Sequence, residues 1–471
     1  MENTLIDKQQ QIDELFDKQR AFYAKGDTKI PEYRKYHLNK MYETIKKYEK
    51  EISKALFDDL HKSEYEAYIT EVGLVKREIK HQLSLIDKYS KPCRVSSSIF
   101  VLNSKSEIYY EPYGLTLIVS PWNYPFHLAL MPLVGAVAAG NCAILKLSPD
   151  AKATNRVIRK IIESVFDKEY VAVLEGHRDV NEYLFSKPFE HIFLTGSPEL
   201  GKVAMKAAAN HLAKVTLELG GKSPCIIDKD ANIEMAVKRI TFGKIINSGQ
   251  TCIAPDYIYV HKDVKQRFID LFKKNIEDFY PNGIEQSEEY PHIVSDKAMH
   301  RLINLLQCGD VVYGGTYNLN TRFFHPTLME NVSLESDLMQ KEIFGPIFPI
   351  YEFDEINEVI DFVVSRPKPL ALYYFTENKK KAEYMLKETS SGGACINDVL
   401  MHIVNPNLPF GGVQNSGIGN YHGHFSVETG GNSENNLLFS IILYYFYFFL
   451  SNHKSTFFFN YSQLYLRYYF K

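Results

Sequence analysis

Two short apolar runs decide the fold of this chain: LTLIV at 115–119 and CAIL at 142–145. Between them lies an Ala-, Gly- and Leu-rich stretch at 128–139 whose length and composition favour a helix. A strand, a helix and a second strand in this order are typical of parallel strands joined by a crossover helix. The sequence therefore predicts an α/β fold with a parallel sheet.

The same alternation continues on both sides of Gly220. Upstream, the pattern predicts a helix over 153–166, a strand over 171–174, a helix near 180–185 and a strand over 191–194. Downstream, it predicts a strand over 225–227, a helix over 233–247 and a strand over 256–260, with further elements to about 403. The upstream unit is typical of a nucleotide-binding sheet, and the downstream unit is a second α/β unit.

Two segments near the N-terminus have a different character. Residues 4–91 are rich in Lys, Glu and Gln with apolar residues at helical spacing, which predicts several amphipathic helices. Residues 96–110 hold β-favouring runs on either side of the polar stretch 103–106. This second segment is predicted to be a hairpin.

Composition narrows the class of function. A chain of 471 residues is long enough for two or more domains. Its net charge of -3 provides no basic field for nucleic acid. Its six cysteines form no C-x-x-C pair, which argues against a zinc site or a disulfide framework. The polar first eight residues lack the apolar core of a signal peptide, so we expect a cytoplasmic protein. From the charge and the cysteine pattern we expect a protein that acts on a small molecule and has no metal site.

The stretch GQTCIAP at 249–255 sets Cys252 among small residues, where its sulfur has room to meet an electrophile. A thiolate there would attack an aldehyde carbon and give a thiohemiacetal; a buried structural cysteine is the alternative. Asn123, in PWNYPF, and the backbone N–H of Cys252 are candidate donors to the oxyanion. Glu218, in LELGGK, is the candidate base that activates water against the resulting thioester.

The stretch TGSPELG at 195–201 follows a predicted strand and opens a helix, where backbone N–H groups attract a phosphate. Its spacing is not the usual G-x-G-x-x-G, so a strand-to-helix turn without a ligand is an equal alternative. Lys146 lies at the end of another predicted strand, where open α/β sheets place ligands. The clusters KEIFGPI at 341–347 and PFGGVQNSGIG at 409–419 fit either a site or plain turns.

Taken together, these motifs and their order resemble the aldehyde dehydrogenases, over about residues 13–429. The continuation IAPDY at 253–257 resembles the class 3 branch, which includes fatty aldehyde dehydrogenases. The resemblance implies a Rossmann-like NAD(P)-binding domain, a second α/β catalytic domain and a small β excursion that builds a homodimer. The implied dinucleotide-binding domain spans 1–92 and 114–219, the catalytic domain 220–405, and the oligomerisation or bridging segments 93–113 and 406–430.

The resemblance also implies roles for single residues. Cys252 is the nucleophile, Glu218 the deacylating base and Asn123 the oxyanion donor. The residues implied to hold NAD or NADP are Lys146, Ser148, Thr195, Gly196, Ser197, Gly201, Glu342 and Phe344, and those implied to line the aldehyde pocket are Tyr124 and Phe410. The implied reaction is the oxidation of medium- or long-chain aliphatic, or aromatic, aldehydes to carboxylic acids.

Two departures from the family pattern have consequences. Many relatives have Lys-Pro-Ser-Glu where this chain has KLSP at 146–149, so the carboxylate that would grip the ribose hydroxyls is absent. We therefore expect weaker discrimination against NADP. The tail 431–471 is strongly aromatic and apolar, and two interpretations stay open: a membrane anchor, or a gene-model artefact from an out-of-frame or intronic reading.

Two other functions are alternatives to the aldehyde dehydrogenase interpretation. One is a catalytically impaired, membrane-associated binding or scaffold protein of the same fold, against which the intact set of Cys252, Glu218 and Asn123 argues. The other is a thiol hydrolase that uses Cys252 on esters without redox chemistry. Aldehyde oxidation that depends on a nicotinamide cofactor separates the enzyme from both.

Overall fold

The structure is a computed structural model that describes residues 2–96 and 106–432. The helices are α1 (Glu2–Ala24), α2 (Pro31–Lys47), α3 (Glu49–Leu60), α4 (Glu64–Ala67), α5 (Gly73–Tyr89), α6 (His127–Ala139), α7 (Lys152–Val165), α8 (Arg178–Phe185), α9 (Pro198–Ala209), α10 (Ile233–Ile245), α11 (Lys265–Phe279), α12 (Asp296–Leu305), α13 (Asp337–Gln340), α14 (Ile356–Val364), α15 (Lys379–Glu388) and α16 (His424–Gly430).

The strands form two large sheets and three small antiparallel pairs within these residues. They are β1 (Cys93–Val95), β2 (Ser106–Ile108), β3 (Glu111–Pro112), β4 (Leu115–Val119), β5 (Cys142–Leu147), β6 (Val171–Glu175), β7 (His191–Gly196), β8 (Lys214–Leu219), β9 (Pro224–Ile227), β10 (Tyr257–His261), β11 (Asp310–Tyr313), β12 (Tyr317–Asn318), β13 (Phe323–Phe324), β14 (Thr327–Glu330), β15 (Ile347–Phe353), β16 (Ala371–Phe375), β17 (Gly393–Ile396), β18 (Gly417–Ile418) and β19 (Gly431–Asn432).

The first sheet has the strand order β18-β8-β7-β4-β5-β6. Strands β4 to β8 are parallel, and β18 joins the edge of β8 in the antiparallel direction. Every residue of β4 and β5 is buried, because helices cover both faces of a parallel sheet. The order reverses between β4 and β7, and open sheets of this kind bind ligands beyond the carboxyl ends of their strands at such a point.

The second sheet has the order β11-β14-β15-β10-β9-β16-β17 and is parallel apart from β11. The loop that carries Cys252 lies between α10 and β10, and β10 is a central strand of this sheet. Glu218, by contrast, belongs to β8 of the first sheet. The predicted α/β fold with parallel strands is confirmed.

The N-terminal region forms the predicted helices, α1 to α5, and their apolar residues join the core under the first sheet. Strands β1 and β2 pair in the antiparallel direction, with Arg94 opposite Glu107. The run 99–102 and most of the turn 103–106 of the predicted hairpin lie outside the described residues.

Residues 433–471, which include the apolar part of the tail, also lie outside the described residues. Among the residues that are described, no helix combines the length and apolar character needed to cross a membrane.

Candidate active site

A left-handed turn presents Cys252. Three successive residues after α10 have positive φ: Asn247 at 50°, Ser248 at 53° and Gly249 at 70°. A side chain on Gly249 would collide with the backbone of Gly345, so glycine is required there. Such a run is costly and persists only where neighbouring groups hold it, as is common beside reactive residues.

Asn123 lies next to this loop, in the connection between β4 and α6. Its Nδ2 donates to the carbonyl oxygen of Gln250 at 2.9 Å. Asn247 Nδ2 donates to the same carbonyl at 3.0 Å and to the backbone oxygen of Asn123 at 2.8 Å. A side-chain amide has two N–H groups, so Asn123 keeps one for a ligand.

Glu218 stands near the carboxyl end of β8 and is 3% exposed. Neither carboxylate oxygen has a hydrogen-bond partner among the described residues. Burial therefore raises the pKa of Glu218 well above its ordinary value. An ionisable group kept buried without a partner is a candidate for chemistry.

Cys252 is half-buried and within electrostatic reach of Glu218. Desolvation raises the pKa of the Cys252 thiol, and the carboxylates of Glu342 and Glu218 raise it further. The backbone N–H groups of Cys252 and Ile253 act in the opposite direction. The thiol is thus protonated until a positive charge or a base approaches it.

Lys146 and Ser148 lie at the end of β5. Lys146 is 3% exposed and lies one residue before the end of the strand. Burial lowers the pKa of Lys146 to about 8, while Asp150 acts in the opposite direction. Ser148 is held by its backbone oxygen, which accepts from Asn155 Nδ2 at 2.7 Å.

The stretch 195–201 joins β7 to α9 as predicted. Ser197 caps the helix, its Oγ accepting from Leu200 N at 3.3 Å. The Thr195 hydroxyl is buried without a partner among the described residues.

The two glycines of this stretch allow close packing. Gly201 faces β8, where a Cβ would come within 2.8 Å of Leu219, so Gly201 lets the helix approach the strand. Gly196 is the last residue of β7. A Cβ added to it would lie 3.3 Å from the side chain of Leu200.

Glu342 and Phe344 reach the site from the second sheet's side. The Glu342 carboxylate lies against Gly220, so close that a side chain there would overlap it. Burial raises the pKa of Glu342 to about 8, although the Gly221 N–H lowers it. The Phe344 ring meets the Trp122 ring edge to face at 5.3 Å.

These groups fit a dinucleotide. An ammonium at the end of β5, the buried hydroxyl of Thr195 and the N-terminus of α9 provide hydrogen-bond donors and positive potential near the switch point of the sheet. The second-sheet side contributes an aromatic ring and a carboxylate, groups able to contact a ribose and a nicotinamide.

Tyr124 and Phe410 are both largely buried. The Tyr124 hydroxyl is 2.6 Å from Thr251 Oγ1, beside Cys252. Phe410 stacks on the rings of His422 and His402, with centroids 5.2 and 6.1 Å away. Tyr124 thus adjoins the nucleophile, and Phe410 belongs to an aromatic cluster formed by the C-terminal segment.

Two features were absent from the sequence predictions. The buried hydroxyl of Tyr421 has no partner among the described residues, and after burial the charges of Glu218 and Cys252 raise its pKa. Lys62 and Glu71 form a buried ion pair behind Asn123. Nothing in the pattern separates this lysine and glutamate from the many solvated ones in the N-terminal helices.

This chain is similar to known proteins over most of its length. The aldehyde dehydrogenase family model matches residues 6–431. The chain is 44% identical to the 4,4'-diaponeurosporen-aldehyde dehydrogenase of Staphylococcus aureus, over 89% of this chain and 92% of that protein. It is 40% identical to a mouse dimeric NADP-preferring aldehyde dehydrogenase, again over 89% and 92%.

A solved structure is equally similar. The substrate-bound state of Staphylococcus aureus AldH superposes with a TM-score of 0.88 at 43% identity, covering 91% of this chain and 95% of that one. The family match spans most of the sequence, and the relatives are matched over nearly their whole length. The chain therefore belongs to the aldehyde dehydrogenase family.

Proposed function

We propose that this protein oxidises medium- or long-chain aliphatic, or aromatic, aldehydes to carboxylic acids, with NAD or NADP as the oxidant. One observation carries the proposal. A half-buried thiol, Cys252, stands within electrostatic reach of the unpartnered carboxylate of Glu218 and beside an asparagine amide with a free N–H. The proposal is supported because the candidate nucleophile, base and oxyanion donor come from separate parts of the chain.

In the acylation half, the Cys252 thiol loses its proton to solvent, which the positive charge of a bound oxidised nicotinamide would favour, and the thiolate attacks the carbonyl carbon of the aldehyde to form a thiohemiacetal. The second N–H of the Asn123 amide and the backbone N–H of Cys252 donate to the oxyanion. Loss of one such donor lowers kcat by about 10²–10³-fold. A bound nicotinamide would supply the acceptor for the hydride whose loss turns the thiohemiacetal into a thioester.

In the deacylation half, Glu218 takes a proton from a water molecule that attacks the thioester carbon. The carboxylate is ready for this, since no protein donor occupies its oxygens in the described residues. Its raised pKa also makes it a stronger base than an exposed glutamate. The carboxylic acid then leaves and Cys252 is free again.

For the cofactor, we propose that Lys146 holds the adenine ribose with Ser148 and that the turn at 195–201 receives the pyrophosphate. Glu342 and Phe344 would contact the nicotinamide ribose and ring, and Phe410 with Tyr124 the aldehyde. The proposed dinucleotide-binding domain is 1–92 and 114–219, and the catalytic domain is 220–405.

We also propose a homodimer built on 93–113 and 406–430, in line with the description of the mouse relative as dimeric. A cytoplasmic location, and membrane contact through the tail, stay predictions from the sequence.

The test is formation of NADH and NADPH by the purified protein with hexanal, a long-chain aldehyde and benzaldehyde. Cys252→Ala should lower turnover by at least about 10⁴-fold, because removing a nucleophile abolishes the covalent route. Cys308→Ala is the matched control, since Cys308 is half-buried too but lies beside the second core cluster. Unchanged turnover in Cys252→Ala, or ester cleavage without aldehyde oxidation, would contradict the proposal.

A further inference from the structure

A buried ion pair lies directly behind Asn123. The side chains of Lys62 and Glu71 are both 0% exposed, with Lys62 Nζ 2.6 Å from Glu71 Oε1. Taking two charges out of water is costly, and an apolar pair of similar volume is often at least as stable. Stability alone therefore gives little reason for these two residues, and their remaining contacts indicate another role.

Lys62 contacts the residues on which the proposed chemistry depends. Its Nζ donates to the backbone oxygen of Asn123 at 3.0 Å and lies 4.0 Å from the centroid of the Tyr124 ring. The Tyr124 hydroxyl is in turn 2.6 Å from the Thr251 hydroxyl, one residue before Cys252. One ammonium thus touches the oxyanion-donor residue and a side chain that supports the nucleophile loop.

Glu71 holds the other end of the same segment. Its Oε2 accepts from the backbone N–H groups of Phe126 at 2.8 Å and His127 at 3.1 Å. These groups belong to the start of α6, where N–H groups have no partner within the helix. The segment 123–127 is therefore held at its beginning by Lys62 and at its end by Glu71.

The network continues into the left-handed turn before Cys252. Glu66, next to Lys62 in space, accepts from the backbone N–H of Asn247 at 2.8 Å. Asn247 shares the backbone oxygen of Asn123 with Lys62. Displacing Lys62 would thus remove one of the two donors that hold the backbone oxygen of Asn123.

We propose that the Lys62–Glu71 pair positions the Asn123 amide relative to Cys252, so that the amide N–H meets the oxyanion. The inference rests on the proposed function, in which Asn123 is the oxyanion donor. Lys62 and Glu71 are positioning residues, because their contacts run to the backbone of 123–127 and the Tyr124 ring. Their effect on the reaction is expected to pass through Asn123.

A double-mutant cycle between Lys62→Met and Asn123→Ala tests this. The readout is kcat/KM for hexanal, with KM for the nicotinamide cofactor and Tm measured on each variant. Lys62→Met should lower kcat/KM by about 10- to 100-fold, since a displacement of about 1 Å can cost 10²-fold. In the Asn123→Ala background the same substitution should change kcat/KM by less than about twofold, whereas Tm should fall similarly in both backgrounds.

A second variant covers the case in which Lys62→Met fails to fold with Glu71 left uncompensated. Lys62→Met with Glu71→Leu removes both charges, a change that often preserves folding. This variant should fold and still have the low kcat/KM of the single change. Lys76→Met is the matched control, because it breaks a 2.8 Å lysine–glutamate pair with Glu49 between α5 and α3, away from Asn123.

Two outcomes would overturn the positioning role: an equal loss of kcat/KM in both Asn123 backgrounds, or wild-type kcat/KM in the folded apolar variant. A third outcome has a different meaning. If Asn123→Ala itself left kcat/KM unchanged, the proposed oxyanion role of Asn123 would fail, and the positioning role would fail with it.

Discussion

The loop around Cys252 and the carboxyl edge of the first sheet differ in how their polar side chains are hydrogen-bonded. In the loop, Asn123, Asn247 and Gln250 hydrogen-bond one another within the protein. At the sheet edge, Thr195 Oγ1 has no hydrogen-bond partner among the described residues, and Lys146 is 3% exposed. A buried polar group without a partner costs free energy, which a ligand can recover. The loop around Cys252 is thus held by hydrogen bonds within the protein, whereas the proposed cofactor edge keeps a buried hydroxyl for a ligand.

Glu218 is an unpartnered carboxylate inside the proposed reactive region, and replacing it should give the largest effect. We expect Glu218→Gln to lower steady-state turnover by about 10²–10⁴-fold, because it removes the proposed base for water activation. A burst of NAD(P)H equal to the enzyme concentration should persist, because acylation needs only Cys252 and its donors. Stopped-flow absorbance of NAD(P)H measures both phases.

The pH dependence provides a second check on Glu218. Burial raises the pKa of Glu218, and only the ionised carboxylate accepts a proton, so deacylation should accelerate as pH rises through that raised pKa. This rise of the deacylation rate with pH should vanish in Glu218→Gln. It should remain in Glu163→Gln, which alters an exposed glutamate of α7. Loss of the burst together with turnover would instead assign Glu218 to acylation.

Lys146→Met tests the proposed cofactor edge of the first sheet, and we expect its effect on the kinetics to be of intermediate size. We expect KM for the cofactor to rise about 10-fold, as for loss of a charge-assisted hydrogen bond, while kcat changes little. Burial lowers the pKa of Lys146 to about 8, so the folded state disfavours the charge and Met should not lower Tm. Fluorescence titration with NADH and thermal unfolding check the two expectations; Lys152→Met is the exposed control. A lower Tm with unchanged KM would make Lys146 structural.

The smallest expected effect concerns the choice between NAD and NADP. Pro149 occupies the position at which the resemblance to the family implies a glutamate, so no carboxylate at this position repels a 2′-phosphate. We expect kcat/KM for the two cofactors to agree within about tenfold, a difference of about 1.4 kcal/mol. Pro149→Glu should shift the ratio towards NAD. A preference of the unaltered protein for NAD by more than about 100-fold would contradict the expectation.

The regular elements could be predicted well from local pattern. The helix predicted over 128–139 is His127–Ala139, and the strand predicted over 191–194 is the start of His191–Gly196. The helix predicted over 233–247 stops at Ile245, because Asn247 and Ser248 adopt left-handed backbone that ends it. Hydrophobic periodicity carries no information about such a turn.

The residues proposed for the reaction stand out in the sequence, whereas the residues that contact them do not. Cys252, Glu218 and Asn123 occur in distinctive small-residue or glycine contexts. Lys62 occurs between amphipathic helices that contain many lysines, where a solvated side chain is the usual outcome. Its complete burial depends on Glu71 and on the start of α6, which come together only after the helices pack on the sheet.

The sequence by itself determined the α/β class, the order of its elements and the chemical types at the site, because periodicity and short motifs are local properties of the chain. The tertiary structure decided which carboxylates stay unpartnered, which lysine is buried and which amide N–H donates to the loop before Cys252. The physical reason is that desolvation and hydrogen-bond satisfaction depend on groups distant in sequence. For Asn123, the backbone oxygen is held from residues 62 and 247, on opposite sides of it along the chain.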